Sequence, residues 1–216
     1  MTRRRIYLLR HAAVSYFENG RPVRPDDVRL TPEGLEQARR TAEALRGVPF
    51  DRVITSGLRR TVETVRLIAP ELEPEEWPEL REIESGRLAE LEDVQAAFLH
   101  AFPRVAPEDA RFLGGETIGS LLDRVLFALD RLLSDPHWDT LLAVLHGGVN
   151  RAIISHALTG DRTFLGNFEQ APACINILDV GEDWVVRAVN IAPYDLLHAD
   201  IRTKTMEELW AQYRNT

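Results

Sequence analysis

Three short apolar runs, each passing into a one-faced helical stretch, constrain this chain more than any other feature. Ile6-Tyr7-Leu8-Leu9 reads as a short buried strand, and so do Asp51-Arg52-Val53-Ile54-Thr55 and Thr140-Leu141-Leu142-Ala143-Val144-Leu145. Behind the first, Thr31 is a natural N-cap and Pro32 a natural first helical residue. Leu35, Ala38, Ala42 and Leu45 then recur at the spacing of one helix face, and the helix is predicted to end near Gly47-Val48-Pro49. Leu58, Val62, Val65 and Ile68 make a second helix, and residues 149–158 another. The strongest periodicity, Leu121, Leu122, Val125, Leu126, Leu129, Leu132 and Leu133, predicts a helix over 116–133. Two more strands, at 173–180 and 184–189, and a short helix around 206–213 complete the set. This alternation implies an α/β fold: a three-layer α/β/α sandwich with a mostly parallel central sheet.

At 216 residues the chain suits one large α/β domain or two small ones. No repeat, low-complexity tract or long linker divides it, so 1–216 is read as one domain. Its irregular part is 70–114, where Glu71, Glu73, Pro74, Glu75, Glu76 and Pro78 indicate loop and 91–102 a helix. We read this stretch as an excursion over the strand ends, where long functional loops on α/β scaffolds lie.

The strand ends carry the chemistry. The first run stops on Arg10-His11, the second leads into Ser56-Gly57-Leu58-Arg59-Arg60, and the third stops on His146-Gly147-Gly148. Ligands of open α/β sheets bind at the carboxyl ends of strands, and right-handed crossovers bring those ends to one rim. There an arginine offers a forked cation for phosphate or carboxylate, and a histidine a nucleophile or base. Arg59 and Arg60 lie in a first helical turn, against the helix dipole, which suggests a nearby anion. The glycines after His146 let backbone N–H groups approach an anion. With the carboxylate of Leu80-Arg81-Glu82-Ile83 added, the set suits phosphoryl transfer. A metal site is disfavoured, because Arg10 beside His11 would repel a cation.

The net charge of −8 argues against nucleic-acid or anionic-membrane binding, and Arg3-Arg4-Arg5 is read as a solvated end. No apolar run approaches a membrane span, and none forms a signal peptide. The single cysteine, Cys174, cannot form an internal disulfide and is expected simply to pack, which points to a reducing, cytoplasmic setting. A second copy of the chain is the one protein partner left open. His100, His137, His156 and His198 are read as structural or exposed, and Trp77, Trp138, Trp184 and Trp210 as packing residues.

In these motifs the chain resembles the histidine phosphatase superfamily, in its phosphoglycerate-mutase-like branch. The family's Arg-His-Gly is here Arg10-His11-Ala12, and its Leu-Thr-x-x-Gly-x-x-Gln-Ala is Leu30-Thr31-Pro32-Glu33-Gly34-Leu35-Glu36-Gln37-Ala38. Its Ser-x-Leu-x-Arg is Ser56 to Arg60, its Leu-x-Glu is Leu80-Arg81-Glu82, its Gly-Gly-Glu is Gly114-Gly115-Glu116, and its His-Gly-Gly is His146-Gly147-Gly148. The resemblance implies a transient phosphohistidine at His11. Arg10, Arg60, His146 and Gly147 would surround the phosphoryl group, Glu82 would donate the proton, and no cofactor or metal would be needed.

There are departures. Ala12 stands where glycine is usual, so a positive φ there would be strained. Ala13 replaces a common Glu, and no Asn follows to meet the phosphate, which leaves Ser15, Tyr16 and Asn19 as substitutes. Thr117 keeps the hydroxyl of a common Ser, and Glu116 is read as a helix cap. The expected activity is hydrolysis of a small phosphorylated metabolite. A mutase passing phosphate within one substrate is the second reading, and a non-catalytic phospho-ligand binder the third.

Overall fold

The computed structural model describes residues 3–18, 21–198 and 202–214. Strand β1 (Arg4–Arg10) precedes a small hairpin of β2 (Phe17–Glu18) and β3 (Arg21–Pro22). Then come α1 (Pro32–Ala44), β4 (Arg52–Thr55), α2 (Arg59–Ile68), β5 (Glu75–Glu76), α3 (Val94–Leu99) and α4 (Ile118–Ser134). The last third supplies β6 (Thr140–Leu145), α5 (Gly147–Thr159), β7 (Ile175–Val180), β8 (Trp184–Ile191) and α6 (Thr205–Arg214).

Six strands form one sheet in the order β5-β4-β6-β1-β7-β8. Neighbouring pairs from β5 to β1 are parallel, whereas β7 runs antiparallel to both β1 and β8. The antiparallel pairing of β7 with β8 has a local cause: only a tight turn at 181–183 joins them, and parallel strands need a long crossover. Side chains alternate across the sheet. Ile6, Leu8, Leu141, Ala143 and Leu145 pack with Leu121, Leu122, Val125, Leu129 and Ile153 of α4 and α5. Leu9, Leu142 and Val144 face the other way, into a cluster with Leu45 and Val65 on the side of α1 and α2. Burying each large aliphatic side chain contributes about 1.5–3 kcal/mol relative to exposure. β6 is buried along its whole length, as a strand covered on both faces must be. The three layers match the sandwich expected from the sequence.

Local chemistry sets the helix starts. Thr31 accepts a bond from the Gly34 amide at 3.0 Å, with Pro32 behind it. Thr117, not Glu116, caps α4 by accepting from the Ser120 amide at 3.1 Å, so the cap reading of Glu116 is corrected. α3 is shorter than the 91–102 helix expected, because the Asp93 side chain caps it by accepting from the Ala96 amide and the backbone leaves the helix at His100. Within the loop-like 70–114 stretch, Glu75–Glu76 is an edge strand on β4. Its charged side chains hide it, since an edge strand needs only its backbone to pair. Arg3-Arg4-Arg5 is not a solvated end. Arg3 pairs with Asp183, Arg5 with Asp179, and Arg4 donates to the Leu133 and Asp135 carbonyls while lying 4.1 Å over the Trp138 ring. Among the described residues no helix is long and apolar enough to cross a membrane.

Candidate active site

Parallel register aligns the polar strand ends. Arg10 pairs with Leu145 across β1 and β6, the His11 amide donates to the Leu145 carbonyl at 3.0 Å, and Thr55 pairs with Val144. The next residues, His11, His146 and Ser56, therefore meet at one rim. The rings of His11 and His146 lie 5.3 Å apart, and Arg60 enters from the first turn of α2. These groups are closed off: His11 is 2% exposed, Arg60 2% and His146 0%.

Hydrogen bonds assign both histidine tautomers. His11 Nδ1 lies 2.8 Å from the Ala12 carbonyl, which can only accept, so Nδ1 carries the hydrogen and Nε2 keeps the lone pair. His146 Nδ1 faces Arg60 Nη2 at 3.3 Å, a group that can only donate, so its Nε2–H donates to Ser56 Oγ at 2.8 Å. Burial, followed by the charges of Arg60 and Arg10, pushes the His11 pKa well below its ordinary value. Burial and then Arg60 do the same to His146. Both rings are neutral at neutral pH.

Each arginine is anchored at one end and open at the other. Arg10 Nη1 donates to the Gln170 carbonyl at 2.6 Å and to Thr205 Oγ1 at 3.1 Å. Arg60 Nη1 donates to the Pro25 carbonyl at 2.8 Å. The buried Nε–H of each has no hydrogen-bond partner among the described residues. Two unpartnered buried cationic donors beside two neutral imidazoles form a cradle for an anion. Arg59 instead pairs with Glu63 on the surface.

Glu82 arrives from the irregular stretch and meets the start of α5. The Gly148 amide donates to its Oε1 at 3.0 Å, as does the Ile83 amide. A Cβ on Gly148 would stand 2.7 Å from Oε1, so a side chain there would push the carboxylate aside. At Gly147 a Cβ position lies 3.7 Å from Glu82 Oε2 and 3.8 Å from Arg10 Nε. His11, Arg10, Arg60, His146, Glu82 and Gly147 are thus one neighbourhood. Among the described residues no group of three or more His, Cys, Asp or Glu could hold a metal ion.

The departures find local answers. Ala12 is fully buried and is not among the residues with positive φ, so the alanine is unstrained. Ser15 bonds Phe17 at both its amide and its carbonyl, whereas the Tyr16 ring lies 6.0 Å from the Arg60 guanidinium carbon. Asn19 lies outside the described residues. His137 is exposed and bonds Asp135, and Trp77 and Trp138 are core residues.

The sequence reading missed the support behind Arg10. Gln170, whose carbonyl holds Arg10, has its own side chain fixed between Asn150 and Asn176. Glu169 receives the Thr205 hydroxyl at 2.8 Å, tying the start of α6 to the same corner. The available signal was Asn176, a fully buried amide between Ile175 and Ile177 in β7.

Neutral buried histidines make the fold sensitive to acid. Unfolded, both rings take up protons as pH falls through about 6.5, whereas the native pKa values lie lower. The native state then binds fewer protons, so stability drops progressively below that pH. The lowered carboxylates Glu116 and Glu169 add their loss only below about 4.5. We expect a lower urea midpoint at pH 5.5 than at 7.5, with a smaller drop in His146→Gln. Equal midpoints for the parent protein would contradict this.

Comparison with known proteins places this geometry. The family model described as histidine phosphatase superfamily (branch 1) matches residues 6–192. Probable phosphoglycerate mutase GpmB of Enterobacter sp. (strain 638) is 31% identical over 160 residues, covering 71% of this chain and 74% of that protein. Adenosylcobalamin/alpha-ribazole phosphatase of Salmonella typhimurium is 29% identical over 200 residues, covering 86% and 95%. In fold, the chain is similar to the crystal structure of alpha-ribazole phosphatase from Shigella flexneri, with a TM-score of 0.69 and 24% identity over 86% of this chain and 96% of that one.

Proposed function

Because the chain belongs to the histidine phosphatase superfamily, branch 1, we propose that it hydrolyses a small phosphomonoester through a phosphohistidine at His11. One observation carries the reading. His11 is buried and neutral, its Nδ1–H is committed to the Ala12 carbonyl, and its Nε2 lone pair sits with two arginines whose Nε–H groups lack a partner among the described residues.

The chemistry follows. Arg10 and Arg60 take the phosphoryl oxygens, and the α5 amides favour the negative charge. His146, bonded to Ser56 and Arg60, borders the phosphoryl group and sets the fork of Arg60. His11 Nε2 forms the N–P bond as the ester P–O bond breaks, and the departing oxygen takes the Glu82 proton. Water then attacks phosphorus, Glu82 accepts its proton, and the N–P bond breaks. Inorganic phosphate and neutral His11 remain.

We treat the chain as one domain, since a single sheet takes β1 from its start and β7 and β8 from its last third. Cys174, the single cysteine, is buried and free, and a chain without a disulfide suits a reducing, cytoplasmic setting. The acidic balance speaks against nucleic acid as partner. Transfer of phosphate within one substrate is the second reading, favoured by the name of the GpmB relative.

A phosphate-release screen over a panel of phosphorylated metabolites, run with and without chelator, tests the proposal. The expected result is stoichiometric free phosphate, with rates unchanged by chelator. Isomerised ester without free phosphate would favour the mutase, and loss in chelator restored by one metal would overturn the metal-free mechanism.

A further inference from the structure

Glu82 sits in a stretch without helix or strand between Arg81 and Arg87, yet its carboxyl must be held at the start of α5. The Gly148 and Ile83 amides meet the carboxyl, and what holds the backbone that carries it is Arg124, on the second turn of α4. All five of its N–H donors have acceptors. Nη1 donates to the carbonyls of Glu79 at 2.7 Å and Arg81 at 2.6 Å, and Nη2 to that of Glu82 at 3.3 Å. Nε and Nη2 grip the two oxygens of Glu116 at 2.8 and 2.9 Å.

Glu116 closes the clamp from the other side. Its Oε2 accepts the Glu84 amide at 3.1 Å, while its own amide donates to the Glu84 carbonyl at 2.8 Å. The backbones touch there: a Cβ on Gly115 would stand 2.2 Å from the Glu84 carbonyl oxygen. Partial burial works against the charge of Glu116, but the Arg124 bonds prevail and hold its carboxyl below the usual range. With both oxygens committed to Arg124, Glu116 is poorly placed to be the proton donor itself.

We propose that Arg124 and Glu116 form a positioning device for Glu82, fixing backbone 79–84 so that its carboxyl meets the leaving oxygen. The proposal rests on the reading of Glu82 as proton donor. A lysine at 124 keeps the charge but supplies three donors in place of a five-donor fork, so the backbone should loosen. Misplacement on the order of 1 Å costs about a hundredfold in a positioned step.

The test compares Arg124→Lys and Glu116→Gln with the parent, on an alkyl phosphate and on an activated aryl phosphate whose leaving group needs no proton. We expect kcat on the alkyl ester to fall about 10- to 100-fold, and the burst rate of aryl alcohol release, which reports formation of the phosphohistidine and not its hydrolysis, to fall less than about threefold, with thermal unfolding close to the parent. Adding Glu82→Gln to Arg124→Lys should cost no further rate beyond Glu82→Gln alone. Equal losses of the alkyl kcat and the aryl burst rate, or no loss of either, in a folded protein would overturn the device. If Arg124→Lys fails to fold, Glu116→Gln carries the same comparison. Glu82→Gln separates the two claims. If it spares neither ester preferentially, the proton-donor reading and this proposal fall together; if it selects and the clamp variants do not, only the clamp falls.

Discussion

Replacing His11 by alanine is expected to lower kcat by on the order of a thousandfold or more while leaving the fold intact. The size follows from the role: without the imidazole no N–P bond can form, and only the arginine cradle remains to favour the reaction. The fold should survive because His11 contributes little else. Among the described residues its ring makes one hydrogen bond, to the adjacent Ala12 carbonyl, and lies against His146, while its backbone bonds to Leu145 and Ala173 persist in alanine. Removing a buried ring that the cationic pocket keeps neutral also relieves acid sensitivity. The variant's urea midpoint should therefore fall less between pH 7.5 and 5.5. Retained turnover in His11→Ala, measured on whichever ester the screen identifies, would remove the nucleophile from the account.

The second large effect belongs to Glu82. Glutamine preserves the shape and can still accept from the Gly148 and Ile83 amides, but it has no acidic proton to give. On alkyl phosphates, whose departing oxygen is strongly basic, kcat should fall about 100- to 10,000-fold. Activated aryl phosphates should lose far less in forming the phosphohistidine. A series of esters of graded leaving-group basicity should therefore show a steeper dependence in Glu82→Gln than in the parent. Parallel dependences would mean that the proton comes from elsewhere.

Much of this was legible in the chain, for identifiable reasons. β6 announces itself because a strand buried on both faces must be apolar, β1 by its Ile6-Tyr7-Leu8-Leu9 run, and the abrupt Arg10-His11 and His146 at their ends mark the rim. Arg60 could be told from Arg59 only through the resemblance. Its burial and Arg59's pairing with Glu63 are tertiary outcomes that helical spacing does not encode. The β5 strand was hidden because it joins the sheet by backbone bonds alone, its glutamates facing Arg52 and solvent. The reversal of β7 was hidden because strand patterning carries no direction. The supports for the site were least legible. Arg124 lies on an ordinary amphipathic helix, and its partners Glu79, Arg81 and Glu82 are 42 to 45 residues away and meet it through their carbonyls. Backbone acceptors leave no trace in side-chain pattern, so a residue that holds a loop by its carbonyls looks like any solvated arginine.

The central claim, covalent transfer to His11, is most directly tested by rapid alkaline quenching during turnover of the slow Glu82→Gln protein on an activated aryl phosphate. Peptide mapping then locates the bound phosphate. The account predicts phosphate that is stable in base and labile in acid, on the peptide containing Arg10-His11-Ala12 and absent when His11 is also replaced. Phosphate trapped on any other residue would contradict it, as would a burst of aryl alcohol with no phosphate on the protein.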